Sequence, residues 1–256
     1  MRRPVIVMPV HDPEGQMLPH LKAVTPQLKR VFGRAFVSIT PQTRDTHAEH
    51  TTWLEEEEFF RAGFTQPGDP IGEQFLSLYT RAVKSCYPEE ILHLAFSDRV
   101  AFALQSGYRE QFIADVQAVK AEAVPLLFQR SELAWHTHPR NYREIEHIAT
   151  RVGELVLKRT LDLAWCHLAI QARQLREVLP RVRNTDLSVL AEIVLRLKEK
   201  VGTKDVDWLA WEHPFIEARD AEHLRRERES SVKETQKRLS YVIPIVQLLS
   251  ELAPAG

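Results

Sequence analysis

An α/β fold with a mainly parallel sheet flanked by helices and a helical C-terminal third is what the sequence predicts. Three observations predict it. A continuous apolar and β-branched run, Val5 to Met8, opens the chain in the manner of a strand buried on both faces. Helical and strand-like segments then alternate as far as Trp211, and amphipathic helical patterns dominate the rest.

The opening strand ends in the polar, turn-rich loop Pro9-Val10-His11-Asp12-Pro13-Glu14-Gly15. Leu18, Leu21, Val24, Leu28, Val31 and Phe32 then recur at helical spacing up to Gly33, which reads as a C-cap. Ala35 to Ile39 is a second strand, halted by Pro41. Strand, loop, helix and strand in succession form a Rossmann-like βαβ unit, and ligands in such sheets bind outside the carboxyl ends of the strands. The His11-Asp12 loop and the loop from Thr40 to Arg44 therefore share the functional edge.

Further along, Trp53 to Arg61 and Ile71 to Ser85 read as helices, with the stretch 40–70 as a mobile lid or insertion. Ile91 to Phe96 is a third strand, ending in Ser97-Asp98-Arg99, and Val124 to Phe128 is a fourth, ending in Gln129-Arg130. Arg143 to Val178 and Leu187 to Val201 carry helical patterns, and Val206 to Trp211 reads as a last strand before Glu212-His213-Pro214. Strand alternation would put Trp208 and Ala210 on one face, and Leu209 and Trp211 on the other. Residues 221–256 form a helical extension, densely charged with both signs to Glu234 and apolar from Val242 to Leu252.

Composition narrows the function classes. With 256 residues and 44% hydrophobic content, the chain fits one large domain. Thirty-four basic residues balance 35 acidic ones, so nothing marks it for nucleic acid. Two distant cysteines, Cys86 and Cys166, in apolar surroundings suit a reducing compartment, and no apolar run approaches the ~20 residues that cross a bilayer. The expectation is a cytoplasmic protein, neither secreted nor membrane-spanning, whose charged C-terminal helix offers a surface for association into a homo-oligomer. Nine glycines, with no G-x-G-x-x-G, P-loop, G-x-S-x-G or H-E-x-x-H, argue against dinucleotide enzymes and P-loop nucleotidases. A phosphate-bearing ligand would instead need a cation or arginines.

Asp98, at the carboxyl end of a buried strand, is placed to hold a divalent cation on two phosphates, or else to begin a helix as a cap. Arg99 and Arg130 are candidate phosphate partners. His136, His138, Glu144 and Glu146 could make a metal hydrolase site, although their spacing matches no closed zinc motif. Glu212 and His213 stand where a ligand or a base is expected.

The opening Pro4-to-Pro13 strand and loop, His93-to-Arg99, Phe128 to Arg130, Ala134, Thr137-His138-Pro139, Glu144-Ile145-Glu146, Thr160-Leu161-Asp162, Thr185-Asp186 and Val206-to-Glu212 together resemble a family of bacterial proteins with the nucleotide-diphospho-sugar transferase (glycosyltransferase A) fold. The resemblance implies that a nucleotide-diphospho-sugar lies on Pro9, His11, Asp12, Arg44, Arg99, Arg130 and Glu212. It also implies that Mn or Mg is held by Asp98 and His213, and that Asp186 is a base deprotonating the hydroxyl of an acceptor whose identity is open. Asp98 would be the second acid of an Asp-x-Asp element whose first position is here Phe96. The sequence also departs from the pattern at Ala164-to-His167, where the family has a Gly-Ser-rich loop. The alternative is a catalytically inactive descendant that binds or scaffolds.

Overall fold

The computed structural model describes residues 3–252 apart from 165–166 and 198–199. A seven-stranded mixed sheet runs through it in the order β3-β2-β1-β4-β6-β5-β7. The strands are β1 (Val5–Val10), β2 (Arg34–Ile39), β3 (Phe60–Phe64), β4 (Ile91–Leu94), β5 (Leu126–Arg130), β6 (His167–Gln171) and β7 (Gly202–Val206). All are parallel except β6, which lies antiparallel between β4 and β5. The α/β class and the mainly parallel sheet thus match the sequence reading.

Alternation along each strand separates two apolar layers. Ile6, Met8 and Val10 join Leu21, Val24 and Leu28 of α1 (Leu18–Val31) on one face, together with Phe112 and Trp208. Val5, Val7, Leu92 and Leu94 meet Phe75, Leu78 and Tyr79 of α4 (Ile71–Lys84) on the other. The second layer is closed by α8 (Arg140–Leu157), α9 (Ala172–Val178), α10 (Ser188–Leu197) and α13 (Val232–Leu252). Glu192 is buried in α10, where its Oε2 accepts the N–H groups of Arg183 and Asn184 at 3.0 Å each and fixes the preceding loop. Gly72 lies at the start of α4, where its N–H donates to Thr185 O at 2.8 Å. A Cβ at Gly72 would sit 2.2 Å from the Thr185 carbonyl carbon, so only glycine permits this approach of α10's leading loop.

Several expectations are corrected. The stretch 40–70 holds α2 (Pro41–Thr46), α3 (Ala48–Glu56) and the edge strand β3, where a lid and a helix across Trp53 to Arg61 were expected. Arg143 to Val178 is not one helix. Lys158 ends α8 at φ 57°, and His167–Gln171 becomes the fully buried β6, because its short apolar run Leu168–Ile170 between helical segments carries no period of its own. The last strand comes earlier than expected: β7 is largely exposed Gly202–Val206, and Asp207–Leu209 is a 3-10 turn. That turn overrides the alternation expected of the two tryptophans and drives Trp208 into a pocket of Phe112, Phe128 and His167. Trp208 Nε1 is satisfied there by Asp115 at 2.8 Å. Phe32, in extended conformation, rather than Gly33, ends α1.

Candidate functional site at the carboxyl edge

The carboxyl ends of the parallel strands and the beginning of β6 share one edge. The first loop is built around Asp12, which is buried. Its Oδ1 accepts from Gln16 N at 3.0 Å, and its Oδ2 accepts from Met17 N at 2.9 Å and Leu18 N at 2.8 Å. These are donors left open at a helix start, so Asp12 secures α1, and its carboxylate is turned to its own chain. His11 is exposed and meets Thr40 Oγ1 at 3.0 Å, which in turn meets Thr43 Oγ1 at 2.9 Å. Asp12 N donates to Thr43 Oγ1 at 2.7 Å, tying the first two loops together. Arg44 is exposed and stacks over Phe64 at 4.4 Å.

Asp98 lies in the first turn of α5 (Ser97–Gln105), with Phe96 at the N-cap and no side-chain cap there. Its Oδ1 accepts Arg99 N–H at 2.7 Å, while Ser97 Oγ donates to Pro9 O at 3.1 Å and binds α5 to the end of β1. Burial, reinforced by the nearby Glu212 carboxylate, raises the Asp98 pKa above the usual carboxylate value, against the opposing pull of Arg99 and His213. Phe96, two residues before Asp98, faces the apolar layer 5.8 Å from the Phe75 ring.

Arg99 is buried; its Nη1 donates to Ala210 O at 2.9 Å, and it pairs with Glu212, which is only 2% exposed. Glu212 Oε1 is 3.4 Å from His213 Nε2, and His213 Nδ1 is 2.9 Å from Glu217 Oε1. Asp98, Arg99, Glu212 and His213 are therefore brought together from the ends of β4 and the segment after β7. Arg130, in contrast, is enclosed. Its Nε and Nη2 each reach Asp162 at 2.7 Å, its Nη1 reaches Glu146 at 2.6 Å, and its guanidinium lies 3.5 Å from the Trp135 ring centre. Its charge is balanced inside the protein, which places it among the buried supports of the edge.

Asp186 accepts from Ser188 N at 2.7 Å and Ser188 Oγ at 2.5 Å, which puts it at the start of α10. Through Thr185 it is held at the first turn of α4. The hydrolase set is dispersed. His136 is exposed and bonded to Glu132 O, whereas His138 is buried on Leu209 O at 3.2 Å with its pKa pushed well below the ordinary value by burial. Glu144 is exposed on Arg140, and Glu146 is buried between Arg130 and Arg238. Trp165 and Cys166, where the acceptor side was read, lie outside the described residues.

Among the described residues no three His, Cys, Asp or Glu side chains form a group able to enclose a metal. A cation already held by a diphosphate needs only one or two protein ligands besides the phosphates; Asp98 would offer a hard oxygen for Mg or Mn, and His213 an imidazole better suited to Mn. Two grooves of about 500 and 440 Å³ run along α4, the larger lined by Glu73, Ser77 and Arg81 among others and the smaller by Val83, Arg176 and Leu179 among others. Neither is lined by the residues gathered around Asp98.

Reasoning from sequence missed Glu217 and Arg228. The only available signal was the His213-to-Glu217 spacing of four, which puts both on one face of a helical turn. It also missed the buried His93–His167 pair (2.8 Å).

No protein-family model matches the sequence, and no curated protein matches it. Among the described residues no helix is long and apolar enough to cross a membrane.

Proposed function

We propose that the protein is a glycosyltransferase of the glycosyltransferase A type, acting on a nucleotide-diphospho-sugar laid across the carboxyl edge of the sheet, in the cytoplasm. The observation that carries this reading is the placement of Asp98: a carboxylate of raised pKa, at the mouth of the sheet, beside His213 and tied through Ser97 to the end of β1. Bound there, Mn or Mg would offset the charge developing on the leaving diphosphate. His11 and Arg44 are the exposed groups on the neighbouring loops able to meet the nucleotide, and Asp186 is the candidate base. The test is thermal denaturation with a panel of nucleoside diphosphates and Mn²⁺. A ligand-dependent rise in Tm is expected, by mass action on the folded state. No shift with any nucleotide or nucleotide-sugar, with neither transfer nor hydrolysis of sugar, overturns the reading.

A second reading, a binding or scaffolding protein that keeps the sheet without the chemistry, is favoured by one observation. Phe96 packs on Phe75 where the first acid of the Asp-x-Asp element would stand. Self-association through the charged C-terminal helix belongs with this reading, and sedimentation of the purified chain tests it.

A further inference from the structure

The segment after β7 makes a single turn, α11 (His213–Ile216), and then reverses. Glu217 N donates to His213 O at 2.8 Å, Ala218 takes φ 49°, and Arg219 N donates to Pro214 O at 2.9 Å. A left-handed alanine is unfavourable, and neither glycine nor asparagine is present to ease it; such backbone persists only where its surroundings enforce it. Here they do so by holding the Glu217 side chain in place. Arg228, from α12 (Ala221–Ser230), donates to Glu217 Oε1 at 2.9 Å, and Arg219 stands 3.6 Å from Oε2. Arg228 is fixed in its turn by Glu234 at 2.9 Å, and Glu234 receives the Tyr142 hydroxyl at 2.5 Å. The carboxylate has hardly any freedom to turn away from His213.

We infer that Glu217 is a positioning residue: it receives the Nδ1–H of neutral His213 at 2.9 Å, the shorter of the ring's two carboxylate contacts, and so leaves Nε2, 3.4 Å from Glu212 Oε1, as the unprotonated nitrogen on the side of Asp98 and Glu212. The arrangement is that of an imidazole whose second nitrogen is fixed by a carboxylate, the general means by which proteins choose a histidine tautomer for proton transfer or for a cation. It makes the C-terminal extension part of the site, because the group that steadies Glu217 comes from α12. What His213 faces rests on the sugar-transfer reading; the tautomer does not.

The test is long-range proton–nitrogen NMR of the free protein at a pH where the ring is neutral, with His213 assigned from the spectrum of H213Q. The Nδ1–H form is expected to dominate in the wild type and in E217Q, which keeps an acceptor oxygen. It should become the minor form in E217A, and be weakened in R228A, with circular dichroism unchanged. A dominant Nε2–H form in the wild type, or an E217A spectrum identical to it, overturns the inference. Separately, E217A should weaken the Mn²⁺ dependence of nucleoside diphosphate binding by roughly 10-fold or more, while E217Q stays close to wild type. If nucleotides bind neither protein yet the tautomer changes in E217A, the positioning role stands and the sugar-transfer reading falls.

Discussion

Arg130 grips both carboxylate oxygens of Asp162 at 2.7 Å from a position that is itself buried. Its remaining amino group reaches Glu146, which also receives Arg238 at 3.0 Å. Four charged groups from β5, α8, the loop before β6 and α13 are thereby locked into one array, each dependent on the others for the loss of its hydration.

Removing one member should leave an uncompensated buried charge. R130M is expected to lose about 3–5 kcal/mol, or roughly 10 °C in Tm. R130K, which keeps the charge but cannot form the two-pronged contact, should lie between it and the wild type. Urea denaturation checks this, and an R130M protein as stable as the wild type would refute the array's structural role.

Asp98 tests the sugar-transfer reading and the electrostatics together. Its pKa is raised on folding, so the native state holds its proton more tightly, and stability falls as pH rises from 3.8 through the folded value. D98N removes that penalty. It should be as stable as the wild type or more stable above that window, while losing any Mn²⁺-dependent gain in Tm from nucleotides. Denaturation midpoints across pH, with and without ligand, decide both points.

The His93–His167 pair predicts the opposite slope. Burial pushes His93 down to about 3 from its ordinary 6.5 and holds His167 well below the usual value, so the unfolded chain takes up protons first. The stability that the neutral pair contributes is present above pH 6.5 and is lost as pH falls below it toward 3. A double H93L/H167L variant should show a flatter decline with acid than the wild type. The single H167L leaves His93 without its partner and should cost about 1–3 kcal/mol at neutral pH. The three proteins compared by urea melts at pH 5.5 and 7.5 provide the test.

Gly72 predicts a local effect with a distant reading. In G72A the new methyl meets the Thr185 backbone, and the loop bearing Asp186 must shift. A loss of about 1–3 kcal/mol is expected, from overpacking. Hydrogen exchange should quicken at 183–188 and remain unchanged in β1.

Much of the architecture was legible because β1 and β2 are short, almost continuously apolar runs and α1 and α4 each show one helical period. What was hidden had no local signal. The pentamer that becomes β6 is buried on both faces although it begins with His167 and ends with Gln171, and it sits between two helical stretches, so only its pairing with β4 and β5 makes it a strand. β7 reads as polar because four of its five residues are exposed at the sheet's rim. At the candidate site, the adjacent pairs Asp98-Arg99 and Glu212-His213 could be picked out as strand-end polar residues, and they do meet. Asp12 and Arg130 could be picked out equally well, yet one secures a helix and the other an internal charge array. Residue type shows that a group can bind a ligand; its partners decide whether it is available, and those come from 32 residues away for Asp162 and four for Gln16.

The reversed strand has a consequence for assembly of the chain. Every strand from β3 across to β4 comes from residues 5–94, and every strand from β6 across to β7 comes from 126–206. Within the sheet the two blocks are joined along one seam, four residue pairs from Ile91–Gln171 to Leu94–Leu168. Apart from that seam, the strands of each block pair only with one another. A nick between residues 97 and 117 is expected to leave two pieces able to recognise each other through that antiparallel joint.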